Sequence, residues 1–182
     1  NPPQTFEQGL QMILLTHCAL MLESNGYHHP IGRLDQYMYP FYKKALAEGQ
    51  TEAELTDLLH EFKLRFEEMW YLRNASEAEA YPGCALYIHI VLGGVKADGT
   101  DACNDLTRMI LHGMEELQTK EPCISFRFHD KVDEATFRLA MKVALNGESH
   151  PAFFNDGANI ASLQELGFTL EEARDYALVG CT

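Results

Sequence analysis

Basic residues are scarce in this sequence, and their scarcity excludes two classes of partner. The 182 residues include 14 Lys and Arg against 27 Asp and Glu, so the formal net charge is −13. Nucleic acids and anionic membrane surfaces bind clustered positive charge, and neither is therefore expected as a partner. A long hydrophobic run is missing as well. The longest nearly apolar stretch, residues 12–22, is much shorter than the roughly 20 residues that a membrane-spanning helix needs.

Sequence motifs for metals and nucleotides are also absent. The adjacent His28 and His29 have diverging side chains and are not expected to share a metal, so we expect no metal site. Gly93 and Gly94 lack the further residues of a phosphate-binding loop and predict a turn. An odd number of cysteines without a signal peptide favours free thiols in a reducing compartment. The cysteines never occur at Cys-x-x-Cys spacing, which argues against a zinc site: Cys18, Cys84, Cys103, Cys123 and Cys181.

The two parts of the chain have different hydrophobic patterns. Residues 1–80 are typical of helices, which are predicted over residues 5–23, over residues 34–46 with a restart at Pro40, and over residues 51–69. Residues 81–182 alternate between short apolar runs and helical patterns, with helix caps predicted at Asp101, at Asp133, and at Asn155 or Asp156. Strands are predicted over residues 86–92, 123–128, 151–154 and 177–179. Strands separated by helices predict an α/β fold with a mostly parallel sheet.

Ligands of α/β folds bind beyond the carboxyl ends of the strands, so these ends are the candidate site. They fall at residues 93–94, 129–130, 155–156 and 180–182. Cys181 is the sharpest candidate, because it follows an apolar strand and a glycine that allows a tight turn. The spacing alone fits an ordinary strand-end thiol equally well, since no histidine that could act as its base lies close in the sequence. His89, inside a predicted strand, is expected to be a hydrogen-bonded sheet residue.

Several blocks of the sequence resemble those of one enzyme superfamily, in the same order along the chain. Together they resemble the glycyl radical enzymes, the superfamily of pyruvate formate-lyase and the diol dehydratases, and the resemblance covers nearly the whole chain. The blocks are GRLDQY at 32–37, YPFY at 39–42, GG at 93–94, DG at 98–99, DACN at 101–104, RFH at 127–129, PAFFND at 151–156, and the run from 173 into GC at 180–181.

The resemblance implies a fold and a set of site residues. The fold would be a ten-stranded α/β barrel. Residues 1–182 would form part of a single barrel domain, mainly helical over 1–80 and alternating between strand and helix over 81–182. Cys181 would be the catalytic residue, whose thiyl radical takes hydrogen from a small polar substrate. Tyr87 matches an aromatic position of the substrate pocket. His28 and His29 stand in place of a Ser-rich run near the substrate, and we predict that they contact it.

The resemblance also implies how the full-length protein becomes active. A separate radical S-adenosylmethionine activating enzyme would install a radical on a glycine near the C-terminus, and no cofactor would bind directly. The implied partners are that activating enzyme, a small-molecule substrate and a second copy in a homodimer. Oxygen destroys such radicals, so an anaerobic cytoplasm is implied.

The sequence departs from the family pattern at its end. The family has a glutamate base two residues after the cysteine, but Thr182 is the last residue here, and the glycyl-radical motif is also missing. We therefore expect a piece of a longer protein that would not turn over by itself. A single cysteine after Gly180 favours the dehydratase, lyase and decarboxylase branches over pyruvate formate-lyase, which carries two adjacent cysteines.

Several functions stay open at this point. Radical elimination by a dehydratase or lyase comes first, and a decarboxylase or carbon–carbon lyase of the same family is the nearest alternative. A truncated, non-catalytic scaffold would instead bind a partner through an unfinished barrel edge. An ordinary cysteine hydrolase comes last, because no base is identifiable.

Overall fold

The first part of the chain folds into helices. The structure is a computed structural model and describes residues 1–24, 29–69, 74–80, 87–147 and 150–180. The predicted break near Pro40 is confirmed: one helix ends before Met38 and the next begins after it, with the proline in its first turn, where a missing N–H costs nothing. The helices are α1 (Phe6–Ser24), α2 (Leu34–Tyr37), α3 (Tyr39–Ala47), α4 (Glu52–Glu67) and α5 (Ala75–Ala80). We call α1–α4 the helical layer.

The second part forms a three-stranded parallel sheet in the order β1-β2-β3, and the predicted α/β class is confirmed. The register pairs His89 with Cys123 and Phe126 with Phe153. The strands are β1 (His89–Gly93), β2 (Cys123–Phe128) and β3 (Ala152–Asn155). The connecting helices α6 (Asp105–Leu117) and α7 (Glu134–Leu145) and the later α8 (Asp156–Glu165) and α9 (Leu170–Arg174) complete the alternation. β2 and α7 have the predicted bounds, and Asp133 caps α7 by accepting from the Thr136 N–H at 2.9 Å.

One hydrophobic core joins the sheet to the helical layer. Alternate residues of β1 and β2 project from one face of the sheet onto apolar side chains of α4 and α6, including Ile90, Leu92, Ile124, Phe126, Leu55, Phe66, Leu106 and Leu111. His17 of α1 is also buried, with its ring edge-on to Phe66 and to His29. Of the helices in the described ranges, none is both long and apolar enough to cross a lipid bilayer.

Two local predictions are wrong. Asp101 does not cap α6. Asn104 does, by accepting from the Thr107 N–H at 3.0 Å, because the Asp101 carboxylate is held by the Cys103 N–H and by His129. The strand predicted over residues 177–179 is not formed. The backbone just before it is bound by an arginine side chain of β2 rather than by the edge of β3.

Candidate functional site

The carboxyl ends of the three strands meet in one group of buried and half-buried polar side chains. The group contains an arginine of β2, the first residue of α8, the residue before α2, one residue of α2, and a tyrosine that follows α9. We call these five residues the carboxyl-edge network: Arg33, Asp35, Arg127, Asp156 and Tyr176. Every one of them belongs to a block that carries the family resemblance.

Arg127 is the centre of the carboxyl-edge network. It lies in β2 and is 0% exposed. Its Nε donates to Asp156 Oδ1 at 2.8 Å, and its Nη2 donates to Asp156 Oδ2 at 2.9 Å. The same guanidinium donates to the carbonyl oxygens of Arg174, at 2.8 Å, and of Tyr176, at 2.7 Å. A planar group with five donors can serve a carboxylate and two carbonyls at once, so Arg127 joins β2 to α8 and to the chain after α9.

Asp156 is the buried counterion of Arg127 and has further partners of its own. Its Oδ2 accepts from the Val95 N–H at 2.9 Å, and its Oδ1 accepts from the Tyr176 hydroxyl at 2.8 Å. Burial is the main cause that raises the pKa of Tyr176 to about 12, so the phenol stays protonated at neutral pH and keeps donating. The Tyr176 ring also lies 3.8 Å from the guanidinium carbon of Arg127, within the range of a cation–π contact.

The start of α2 binds the turn that follows β1. Arg33 donates through Nη2 to the carbonyl oxygens of Val95, at 2.9 Å, and Gly93, at 3.2 Å. Its Nη1 donates to Asp175 Oδ1 at 2.8 Å. Asp35 accepts from the Gly93 N–H at 2.8 Å. The GRLDQY block therefore holds the end of β1 and the chain after α9 together.

Asp35 is the second fully buried carboxyl of the carboxyl-edge network. Its Oδ2 accepts from Gly93 and, at 2.6 Å, from the Thr107 hydroxyl, whereas its Oδ1 has no hydrogen-bond partner among the described residues. Burial raises the pKa of Asp35, against weaker lowering effects that include its hydrogen bonds and the charge of Arg33. Asp35 differs in this respect from Asp156, whose buried carboxylate is paired with Arg127.

Glycine is required in the turn after β1, as the sequence predicts for a turn. Gly94 has φ of 80°, in the left-handed region. A Cβ atom at this position would lie 2.6 Å from Arg127 Nε and 2.9 Å from Asp156 Oδ2. Any side chain here would therefore press into the buried ion pair.

A smaller cluster lies beside the carboxyl-edge network. His129 Nδ1 accepts from the Lys131 N–H, so its Nε2 carries the proton and donates to Asp101 Oδ1 at 3.1 Å. Burial is the main cause that raises the pKa of the nearby Cys103 thiol, which is therefore protonated and a poor nucleophile. Within the described ranges, no three His, Cys, Asp or Glu side chains are grouped as a metal site requires.

The structure describes two of the four predicted site residues, Tyr87 and His29. Cys181 and His28 lie outside the described residues. Tyr87 lies just before β1, and its N–H donates to Glu121 Oε1 at 2.7 Å. His29 lies just before Gly32, which pairs with Ile90 of β1 in parallel, so both residues lie toward the amino end of that strand. The segment that leads to Cys181 starts at the opposite, carboxyl end. His89 is hydrogen-bonded within the sheet as predicted, with Nε2 2.8 Å from Ser125 Oγ.

One feature of the sequence, a charged residue within a buried strand, indicates the carboxyl-edge network. Arg127 interrupts an otherwise apolar strand, CISFRF, and a charge inside a buried parallel strand requires a buried counterion. The sequence pattern predicts Asp156 only as a possible cap of α8. Asn155 is the cap, and it accepts from the Gly157 N–H at 2.9 Å. The partner of Arg127 could not be chosen from sequence, because several carboxylates follow β2.

The parallel sheet and the helical layer define an α/β protein. Its carboxyl-edge network lies at the edge of the sheet where ligands of α/β folds bind. The family model described as pyruvate formate lyase-like matches residues 1–182, and the chain belongs to that family. The resemblance to the glycyl radical enzymes is thereby confirmed.

Curated relatives and solved structures agree with this assignment. The chain is 34% identical to the probable dehydratase YbiW of Escherichia coli and 30% identical to the (2S)-3-sulfopropanediol dehydratase of Klebsiella oxytoca, over 100% and 98% of its length. It superposes with a TM-score of 0.94 on the structure described for 1,2-propanediol dehydration in Roseburia inulinivorans, at 32% identity over 99% of the chain. The match covers 23%, 22% and 23% of those three proteins, so the chain spans about a quarter of their length.

Proposed function

We propose that the full-length protein is a glycyl radical dehydratase or related lyase that acts on a small polar substrate. Cys181 is the catalytic residue, and Tyr87, His28 and His29 contact the substrate. The full-length protein receives its radical from a radical S-adenosylmethionine activating enzyme, binds no further cofactor, and works as a homodimer in an anaerobic cytoplasm.

In the proposed reaction, Cys181 carries a hydrogen atom in both directions. Its S–H bond breaks as the hydrogen atom passes to the glycine radical, and the sulfur radical then takes a hydrogen atom from a substrate carbon. The neighbouring carbon then loses its leaving group. When that group is a hydroxyl, it takes up a proton and departs as water, and the hydroxyl on the radical carbon releases a proton as it becomes a carbonyl, so the protons balance. The product radical takes the hydrogen atom back from Cys181.

The observation that carries the proposal is how the chain before Cys181 is held. Arg127 binds two carbonyl oxygens of this chain, those of Arg174 and Tyr176, and Arg33 binds Asp175. Radical transfer needs the reacting atoms in a fixed geometry, away from water. A buried network that holds the base of the cysteine loop fits that need.

The names of the relatives support elimination as the reaction. They include dehydratases and isethionate sulfite-lyases, names that imply water and sulfite as the leaving groups. A decarboxylase is the alternative that one observation favours, because the 4-hydroxyphenylacetate decarboxylase glycyl radical subunit of Clostridioides difficile is 26% identical over 98% of the chain.

The test replaces Cys181 in the activated full-length protein. We expect Cys181→Ser to abolish turnover while the glycyl radical signal remains, because a hydroxyl O–H bond is too strong to give up its hydrogen atom. Cys103→Ser, at the same edge of the sheet, is the matched control and should retain turnover. The assay offers 1,2-propanediol, (2S)-3-sulfopropanediol, isethionate, trans-4-hydroxy-L-proline and 4-hydroxyphenylacetate. Release of water, sulfite or carbon dioxide identifies the reaction, and turnover by Cys181→Ser would refute the proposal.

A further inference from the structure

We propose that Arg127 is a positioning residue, which sets the place of the Cys181 thiol by binding the backbone ahead of it; this inference rests on the proposed function. The residue touches no reacting atom in this proposal. It acts through the chain between Arg174 and Cys181.

The first argument is the number of contacts on a short piece of chain. Residues 174–176 receive two hydrogen bonds from Arg127, a stacking contact of the Tyr176 ring on the same guanidinium, and the ion pair of Asp175 with Arg33. The Tyr176 hydroxyl is held further by Asp156 and by Asn159 Nδ2, at 3.0 Å. Backbone and side chain are thus both fixed at Tyr176.

The second argument is the short distance along the sequence from this anchor to the thiol. Four residues separate Tyr176 from Cys181, and a chain this short can reach only a limited volume from a fixed start. Residues 177–179 have no helix or strand of their own that could fix the path independently. The anchor at Tyr176 therefore limits where Cys181 can lie.

The third argument is that lysine cannot replace this arginine. The guanidinium serves Asp156 through two nitrogens and the two carbonyl oxygens at the same time. A lysine ammonium is a single point with three donors and would keep the charge while it loses part of this set. Arg127→Lys therefore separates positioning from charge.

The experiment measures hydrogen transfer at the thiol and needs no known substrate. The full-length protein is activated anaerobically and transferred to D2O. A thiol exchanges its proton with the solvent, so transfer between Cys181 and the glycine replaces the hydrogen on the glycyl radical by deuterium, and the hydrogen splitting of its paramagnetic resonance signal disappears. The rate of this loss reports the thiol–glycine geometry, whereas the total radical signal and the thermal unfolding midpoint report activation and folding.

We expect Arg127→Lys to take up a radical signal within about twofold of the wild type and to lose at least tenfold in exchange rate. Tyr176→Phe, which keeps the ring and removes only the hydroxyl with its bonds to Asp156 and Asn159, should slow the exchange by about threefold. Arg138→Lys, an exposed arginine paired with Glu134, is the matched control and should exchange at the wild-type rate.

An unchanged exchange rate in Arg127→Lys would overturn the inference. If that variant fails to fold or to take up a radical, Tyr176→Phe decides, and a wild-type rate in it overturns the inference as well. A Cys181→Ala variant separates the two levels of the proposal. If Cys181→Ala exchanges like the wild type, the proposed function fails. If only Arg127→Lys and Tyr176→Phe behave like the wild type, the function stands and the positioning role is wrong.

Discussion

The helical layer and the carboxyl-edge network bury polar groups in different ways. In the helical layer, His17 is buried with its ring edge-on to Phe66, and its Nε2 has no hydrogen-bond partner among the described residues. At the carboxyl edge, Arg127 and Asp156 are just as deeply buried, but they neutralise each other. They also bind three backbone groups, the Val95 N–H and the carbonyl oxygens of Arg174 and Tyr176. The helical layer thus buries His17 without an ionic partner, whereas the carboxyl edge buries Arg127 and Asp156 as an ion pair.

The two kinds of burial tolerate different substitutions. Apolar packing depends on volume and shape, so a swap of similar size costs little. A buried ion pair depends on the identity of both members, because removal of one leaves the other charged and without compensation. Mutations at the carboxyl edge should thus be costly even when they preserve volume.

The largest effect is expected from a comparison of the two buried carboxyls. Asp156→Asn keeps the shape but leaves Arg127 without its counterion, and we expect a loss of about 3 kcal/mol in the free energy of unfolding. Asp35→Asn should cost about 1 kcal/mol or less, because the donors to Asp35, the Gly93 N–H and the Thr107 hydroxyl, are uncharged. Urea denaturation of the two full-length variants measures both values. Equal losses would mean that Asp35 is as dependent on its charge as Asp156.

A smaller effect is expected from pH at Asp35. The pKa of an aspartate in the unfolded chain is about 3.9. The pKa of Asp35 is raised by burial, so its contribution to stability is fully present below that value and is lost as the pH rises through the folded-state pKa. The stability of the wild type relative to Asp35→Asn should therefore fall as the pH rises from about 4. Urea denaturation at a series of pH values checks this, and a difference that stays constant with pH would contradict it.

A pH effect of the opposite sign is expected at His17. Burial, followed by the neighbouring His29, lowers the pKa of His17 to about 4. The wild type should therefore lose stability as the pH falls from about 6.5 toward 4. His17→Phe should weaken this loss, whereas His112→Phe, at an exposed position of α6, should not. Thermal unfolding across this range checks the prediction. Equal acid sensitivity of wild type and His17→Phe would show that His17 does not cause it.

The sequence predicted local elements well and distant pairings poorly. β2 is a short apolar run and α7 begins at an aspartate cap, so neighbouring residues determine both. The choice between Asp101 and Asn104 as the cap of α6 depends on His129, which lies in another part of the chain. The pairing of Arg127 with Asp156 likewise exists only after the sheet and α8 have packed. Patterns within a window of the sequence contain no information on such contacts.

The four bonds that converge on Asp156 have a consequence for motion. Its partners Val95, Arg127 and Tyr176 come from distant parts of the chain, yet separating this aspartate from Arg127 would leave an ion stranded in the interior. Local unfolding of single segments around Asp156 is therefore suppressed. The carboxyl ends of the strands should open together as one cooperative unit. The contacts that hold Tyr176 to Arg127 and Asp156 should therefore break only in such a rare, cooperative opening.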